Sequence, residues 1–337
     1  MSSIEQFIEQ SPLLIQSSLS QLRYLILCEG LPVATNKREQ RLRSNVWSIL
    51  SQTSMERSTQ LYMALVQLGP CPPVILQKIK NDTFRTLQTD PIFKKTVSEE
   101  SLIRCLSCFA WQTLQRAEEE EHINNYDGND ANTSLDENNS SSYANSRNRN
   151  NRQVSTYVQG MNLILAPLLY SCPSESMAFQ LFSSLCYNII PTYINSNISG
   201  AHNGAKLLDI CLKIIDPKLS KFLSDNLLTA EIYGLPSILT LSSCNKPLDQ
   251  VCKLWDFMFA YGFHMNILFV VSLLVTNRDK IMESDYPMNL LTRDMPNFEA
   301  DEIIRLGVGF VARIPSDIYT LLVEHLTKSD LTIPYNY

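Results

Sequence analysis

The chain has 337 residues, with 28 Lys and Arg against 34 Asp and Glu, a formal net charge of −6 and a pI near 5.4. That balance excludes the concentrated basic surface of a nucleic-acid binder and a polybasic membrane anchor. Apolar residues make up 45% and glycines number only 10, so few tight turns are encoded and helices are favoured over a many-stranded sheet.

In chain order, the opening MSSIEQFIEQ is acidic and has no basic n-region, so no secretory signal is expected. Residues 1–18 are expected to be an N-terminal extension. The main domain is expected to begin at 19, where Leu19, Leu22 and Ile26 share one helical face. Trp47 falls on an apolar face with Leu50, which points to core packing. Ser98 followed by Glu99 and Glu100 reads as a cap and an acidic first turn, and Leu102, Cys105, Leu106 and Phe109 continue the stripe.

From Ala117 to about Arg152 the chain turns to Asn, Ser and acids with almost no large aliphatics. Such a segment cannot bury enough apolar area to offset its ordering entropy, so 117–152 is expected to be a disordered insertion within the domain. Helical spacing returns with Leu207, Ile210, Cys211, Ile214 and Ile215, then Val251, Leu254, Trp255, Met258 and Phe259, where Gly262 marks the stop. The most apolar run, Ile267 to Val275, is too short to span a bilayer. Pro315 and Ser316 precede a last stripe, Ile318, Leu321, Leu322 and Leu326. No strand alternation or internal repeat interrupts the pattern, and the fold is expected to be all-α.

Little in the chain suggests chemistry of its own. It lacks a Gly-rich phosphate loop and a G-x-S-x-G elbow, and His122, His202, His264 and His325 are not paired at metal spacing, so no metal site is expected. Cys105 and Cys108 match C-x-x-C without a second pair and read as helix-surface or core thiols. The nine scattered cysteines suggest reduced thiols in a reducing, cytoplasmic compartment.

Two short segments remain. In Ile79-Lys80-Asn81-Asp82-Thr83-Phe84-Arg85, Asp82 and Arg85 are i, i+3 neighbours, so the carboxylate can hold the guanidinium; alone, such a pair is usually a solvated surface pair. Tyr157-Val158-Gln159-Gly160-Met161-Asn162 follows the insertion and opens an apolar stretch, Leu163 to Tyr170; alone, a Gln beside a Gly is most often a turn or a cap.

Together and in this order, the segments resemble the TBC domain, a family of GTPase-activating proteins acting mainly on Rab-like GTPases. Ile79, Asp82 and Arg85 match its I-x-x-D-x-x-R, and Tyr157 and Gln159 its Y-x-Q. Arg43 and Trp47 match its opening R-x-x-x-W, and Leu254-Trp255-Asp256 its L-W-D. The resemblance covers roughly residues 20 to 327 and implies a two-lobed helical domain, 19–330, with lobes of about 19–190 and 191–330.

It also implies Arg85 and Gln159 as catalytic fingers entering the nucleotide site of a small Ras-like GTPase, which itself holds GTP and Mg²⁺. The chain would need no cofactor of its own. Asp82 would preset the Arg85 rotamer and Tyr157 would fix the backbone beside Gln159. Ile79 would support them from the same motif, while Arg43, Trp47, Trp255 and Asp256 would be structural, with Trp255 in the core and Asp256 a cap.

Stretches such as LWDFMFAYGFHMN are similar to the fungal spindle-position checkpoint members of the family. Those act with a scaffold subunit, as a bipartite activator, on the mitotic-exit GTPase and associate with the spindle pole body. The alternative is a catalytically silent TBC binding module. The chain departs from the family where a second-lobe Trp is usual: it reads PSILTLSS around Ser237 to Leu241, a difference expected to affect packing or partner surface and not the fingers.

Overall fold

The structure is a computed structural model that describes Ile4 and residues 15–32, 37–53, 55–127 and 154–334. Among these residues every regular element is a helix, and the only β pairing is an isolated antiparallel bridge between Val154 and Asn195.

The first half holds α1 (Ile15–Glu29), α2 (Lys37–Leu50), α3 (Met55–Gln67), α4 (Pro73–Thr83), α5 (Pro91–Thr96), α6 (Glu99–Asp127), α7 (Met161–Ser171) and α8 (Glu175–Ser184). A π turn (Leu185–Ile189) and a 3₁₀ turn (Pro191–Tyr193) lead into the second half. There follow α9 (Ser199–Ile215), α10 (Pro217–Asp225), α11 (Ala230–Tyr233), α12 (Leu235–Leu239), α13 (Leu248–Tyr261) and α14 (Met265–Thr276). The chain closes with α15 (Arg278–Glu283), α16 (Pro287–Thr292), α17 (Ala300–Val311) and α18 (Ser316–Glu324).

Local chemistry sets these boundaries. Asp90 caps α5, accepting from the N–H groups of Ile92 and Phe93, with Pro91 at the first helical position. Ser98 caps α6 through the Ser101 N–H at 3.1 Å, with Glu99 and Glu100 in the first turn. Gly262 ends α13 at φ 153°, where an added Cβ would stand 2.5 Å from the His264 ring. The apolar run from Ile267 lies within α14, a helix buried almost all round that packs against α9 and α17. Among the described residues no helix is long and apolar enough to cross a membrane.

In one lobe α6 packs against α3, α4, α7 and α8; in the other, α9 packs against α10, α11, α12, α14 and α18. Helix α13 joins them, touching α1, α2 and α7 on one side and α14 and α17 on the other. At that junction Arg43 donates to both carboxylate oxygens of Asp256, Nε to Oδ1 at 3.0 Å and Nη2 to Oδ2 at 2.9 Å. The Trp47 indole also donates to Oδ1 at 2.9 Å. Burial works against the guanidinium charge, but the facing Asp256 carboxylate outweighs it and holds Arg43 above its ordinary range. Trp255 donates to the Leu241 carbonyl at 2.9 Å. Arg43, Trp47 and Trp255 are all buried at this junction. Asp256 is no cap: it sits within α13, where it gathers two side chains from α2.

Two expected boundaries shift. Helix α6 runs on to Asp127, so residues 117–127 are helical and not part of a disordered insertion; residues 128–152 of that segment lie outside the described residues. Helix α1 starts at Ile15, inside the expected 1–18 extension, and packs on α13.

Candidate functional site

Helix α4 ends at Thr83, and the next residues turn tightly, with the Arg85 N–H bonded to the Asp82 carbonyl at 3.3 Å. This brings the Arg85 guanidinium back onto Asp82 Oδ1. The other carboxylate oxygen accepts from the Tyr157 hydroxyl at 2.7 Å. Asp82 is buried, whereas the Arg85 side chain remains 56% exposed. A buried carboxylate with both oxygens engaged is thus the base on which an exposed cation rests. Burial, with the Asp82 bond, raises the Tyr157 phenol above its ordinary range, so it stays a donor. Ile79 is fully buried one helical turn before Asp82 and seats α4 in the core.

The Tyr157 loop is held from three sides. Val154 bridges to Asn195, and the Ser155 N–H bonds to the Ile194 carbonyl at 2.7 Å. Tyr157 reaches Asp82. Gly160 then turns with φ 104° to start α7, a conformation that excludes most side chains. A Cβ there would also lie 3.4 Å from the Leu239 side chain. Gln159, between these anchors, is exposed. Tyr157 therefore does more than steady the backbone beside Gln159: its hydroxyl is a direct partner of Asp82.

A further connection was not foreseen from sequence. Asn162, in the first turn of α7, donates through Nδ2 to Thr86 Oγ1 at 2.9 Å and to the Asp82 carbonyl at 3.4 Å. Thr86 Oγ1 in turn donates to that carbonyl at 3.0 Å. Both side chains are buried. The available signal was a lone amide opening an otherwise apolar helix, where it needs a partner.

Arg85 and Gln159 line one cleft of about 460 Å³, with Asp82, Thr86 and Asn162. Its apolar walls come from Val158, Leu163 and Ile198, and from Leu235, Pro236 and Leu239 around α12. The second-lobe stretch expected to affect only packing or partner surface therefore faces the same cleft as Arg85 and Gln159. Outside it lie the other residues singled out: Arg43, Trp47, Trp255 and Asp256 at the lobe junction, and Cys105 and Cys108 in the core. Burial pushes the Cys108 thiol up to about 12 and raises Cys105 as well, so both are inert. Among the described residues no group of three or more His, Cys, Asp or Glu could hold a metal ion.

An exposed arginine tethered to a buried acid, beside an exposed glutamine, can offer a cation and an amide to a partner's anionic site. The chain as a whole is similar to known proteins. The Rab-GTPase-TBC domain family matches residues 121–282, a span that includes Gln159 and begins after Arg85. The mitotic check point protein BUB2 of Saccharomyces cerevisiae is 65% identical over 99% of this chain and 100% of its own length. Cell division control protein 16 of Schizosaccharomyces pombe is 34% identical over 97% and 94%. The crystal structure of the Ypt/Rab-GAP domain of Gyp1p superposes with a TM-score of 0.65 at 15% identity, covering 92% of this chain and 98% of that one. The chain belongs to the TBC-domain family of Rab GTPase-activating proteins.

Proposed function

We propose that the chain activates GTP hydrolysis by a small Ras- or Rab-like GTPase, supplying Arg85 and Gln159 in trans. One observation carries this reading: an exposed Arg85, set by a doubly bonded Asp82, shares its cleft with an exposed Gln159. Hydrolysis needs charge neutralised on the transferring phosphoryl group and a water aligned behind it. An arginine in trans contributes ~10³–10⁵ in rate, or ~4–7 kcal/mol of barrier. Its planar fork meets two oxygens at once and stays charged, which lysine does not reproduce. Gln159 aligns the water. The partner GTPase holds the nucleotide and Mg²⁺.

The similarity to a mitotic check point protein and a cell division control protein along nearly the whole chain supports a place in mitotic-exit checkpoint control. In this reading the chain acts with a scaffold subunit, is cytoplasmic and associates with the spindle pole body. The test is stimulated GTP hydrolysis across a panel of small GTPases, with and without the scaffold. Arg85→Ala and Arg85→Lys are both expected to lose nearly all stimulation while GTPase binding persists. Undiminished stimulation by both variants would show that Arg85 has no catalytic part, and no stimulation by the wild-type chain of any GTPase in the panel would make it a binding module.

A further inference from the structure

Phe84 is 59% exposed, although it lies between the buried Thr83 and the proposed finger Arg85. Its backbone is ordered. It closes α4 with φ −60° and ψ −26°, its N–H bonds back to the Lys80 carbonyl at 3.5 Å, and its own carbonyl accepts from the Gln88 side chain. The ring is therefore held in water by a well-formed turn, and it is not part of the hydrophobic core.

We infer that Phe84 anchors the partner GTPase, entering an apolar recess beside the mouth of the GTPase's nucleotide site. This rests on Arg85 being the finger. Chain connectivity carries the argument. Consecutive Cα atoms are ~3.8 Å apart, so a partner that takes Arg85 into its phosphate site brings protein surface to Phe84. A standard interface covers ~800 Å² of each partner, a disc of ~16 Å radius, and Phe84 lies well inside it. One step along a helical turn rotates a side chain by ~100°, and Phe84 does not line the cleft that holds Arg85 and Gln159, so its ring faces the surface beside that cleft, where the partner presents protein and not phosphate. A large, rigid aromatic near the centre of an interface is the kind of side chain that dominates binding.

The two neighbours divide the work. Arg85 meets a phosphate common to every GTP-bound GTPase, whereas Phe84 meets a surface that differs among them and selects between partners.

The test measures stimulated hydrolysis against GTPase concentration, using the full chain with any second subunit it requires. The substrate is the GTP-loaded panel member that the wild-type chain stimulates most. Phe84→Ala is expected to raise KM about tenfold or more, and Phe84→Asp further, while kcat for Phe84→Ala stays within about twofold of wild type. Val74→Ala, at the far end of the same helix and 73% exposed, is expected to leave both constants within about twofold. An unchanged KM for both Phe84 variants, a loss confined to kcat, or an equal rise in KM for Val74→Ala overturns the inference. Arg85→Ala, run alongside, separates the two claims. Full stimulation by that variant overturns the finger assignment. Lost stimulation by Arg85→Ala, with wild-type KM for both Phe84 variants, overturns the role of Phe84 alone.

Discussion

At the scale of single residues, Asp82 is where the site is decided. Its side chain holds Arg85 and accepts from Tyr157, while its carbonyl accepts from Thr86 and Asn162. Tyr157→Phe deletes one hydroxyl and leaves the ring. It is expected to lower stimulated kcat several-fold and, because the bond is already made in the free protein, to cost about 1 kcal/mol of stability. Asn162→Ala removes a buried donor that ties the Gln159 segment to the Arg85 turn. Its expected cost is about 1–2 kcal/mol of stability, with a fall in kcat that exceeds any change in GTPase affinity. Paired urea titrations and single-turnover rates check both variants; a rise in KM with unchanged kcat would contradict the positioning role.

The Asp82–Arg85 contact was legible in sequence because i, i+3 neighbours meet on a helix. Tyr157 and Asn162 were visible as motif members, yet their partners lie 75 and 76 residues away in sequence. No local pattern encodes such a pairing.

At the scale of elements, the Arg43–Asp256–Trp47 cluster ties α2 to α13 and so one lobe to the other. Removing one partner of a buried ion pair typically costs ~3–5 kcal/mol because the other charge is left unpaired. Asp256→Ala is therefore expected to lower stability by about that amount. Adding Arg43→Met to it should recover part of the loss. Denaturant midpoints of the two single variants and the double variant provide the check, and strictly additive losses would contradict the coupling.

Element ends were legible where capping chemistry marks them, as at Ser98 and Gly262. The run-on of α6 to Asp127 was not. Low hydrophobicity predicted no core for AEEEEHINNYD, and residues 117–121 are indeed mostly exposed. A helix already nucleated by its buried first half extends through Ala and Glu without needing one. The part played by Asp256 was not legible either: the pattern places it inside the helix that stops at Gly262, and only the fold sets Arg43 and Trp47 opposite it.

At the scale of the whole molecule, two buried histidines make stability depend on pH. Burial lowers His264 and His325 to about 4. With the ring neutral, His325 Nδ1 donates to the Leu322 carbonyl and its Nε2 accepts from the Tyr193 hydroxyl. In the unfolded chain both titrate near ~6.5. Between about 6.5 and 4 the unfolded state binds more protons than the folded one, so stability falls as pH falls. Each histidine contributes up to ~1.4 kcal/mol per pH unit in that window. Glu175 lies apart from this: burial opposes its charge, but bonds from Arg104, Tyr62 and Ser101 outweigh burial and hold it at about 2. It therefore weakens the fold only below the ordinary carboxylate range. A urea midpoint that drops from pH 7 to pH 5.5, and drops less in His264→Gln, is the expected result; a flat profile would contradict it.

The helical plan was legible because the apolar periodicity persists on both sides of the insertion, and its division into two lobes came with the resemblance to the TBC domain. The cleft between Arg85, Gln159 and α12 was not legible, since it is assembled from segments on both lobes.

The source of the catalytic glutamine tests the dual-finger account most directly. The measurement is single-turnover GTP hydrolysis with a GTPase whose own catalytic glutamine is changed to alanine, a small side chain that does not block the site. If Gln159 aligns the water, this variant keeps most of the stimulated rate, and Gln159→Ala in the activator abolishes it without unfolding the protein. Stimulation that vanishes with the GTPase variant while Gln159→Ala remains active would contradict the account, leaving Arg85 as the sole finger.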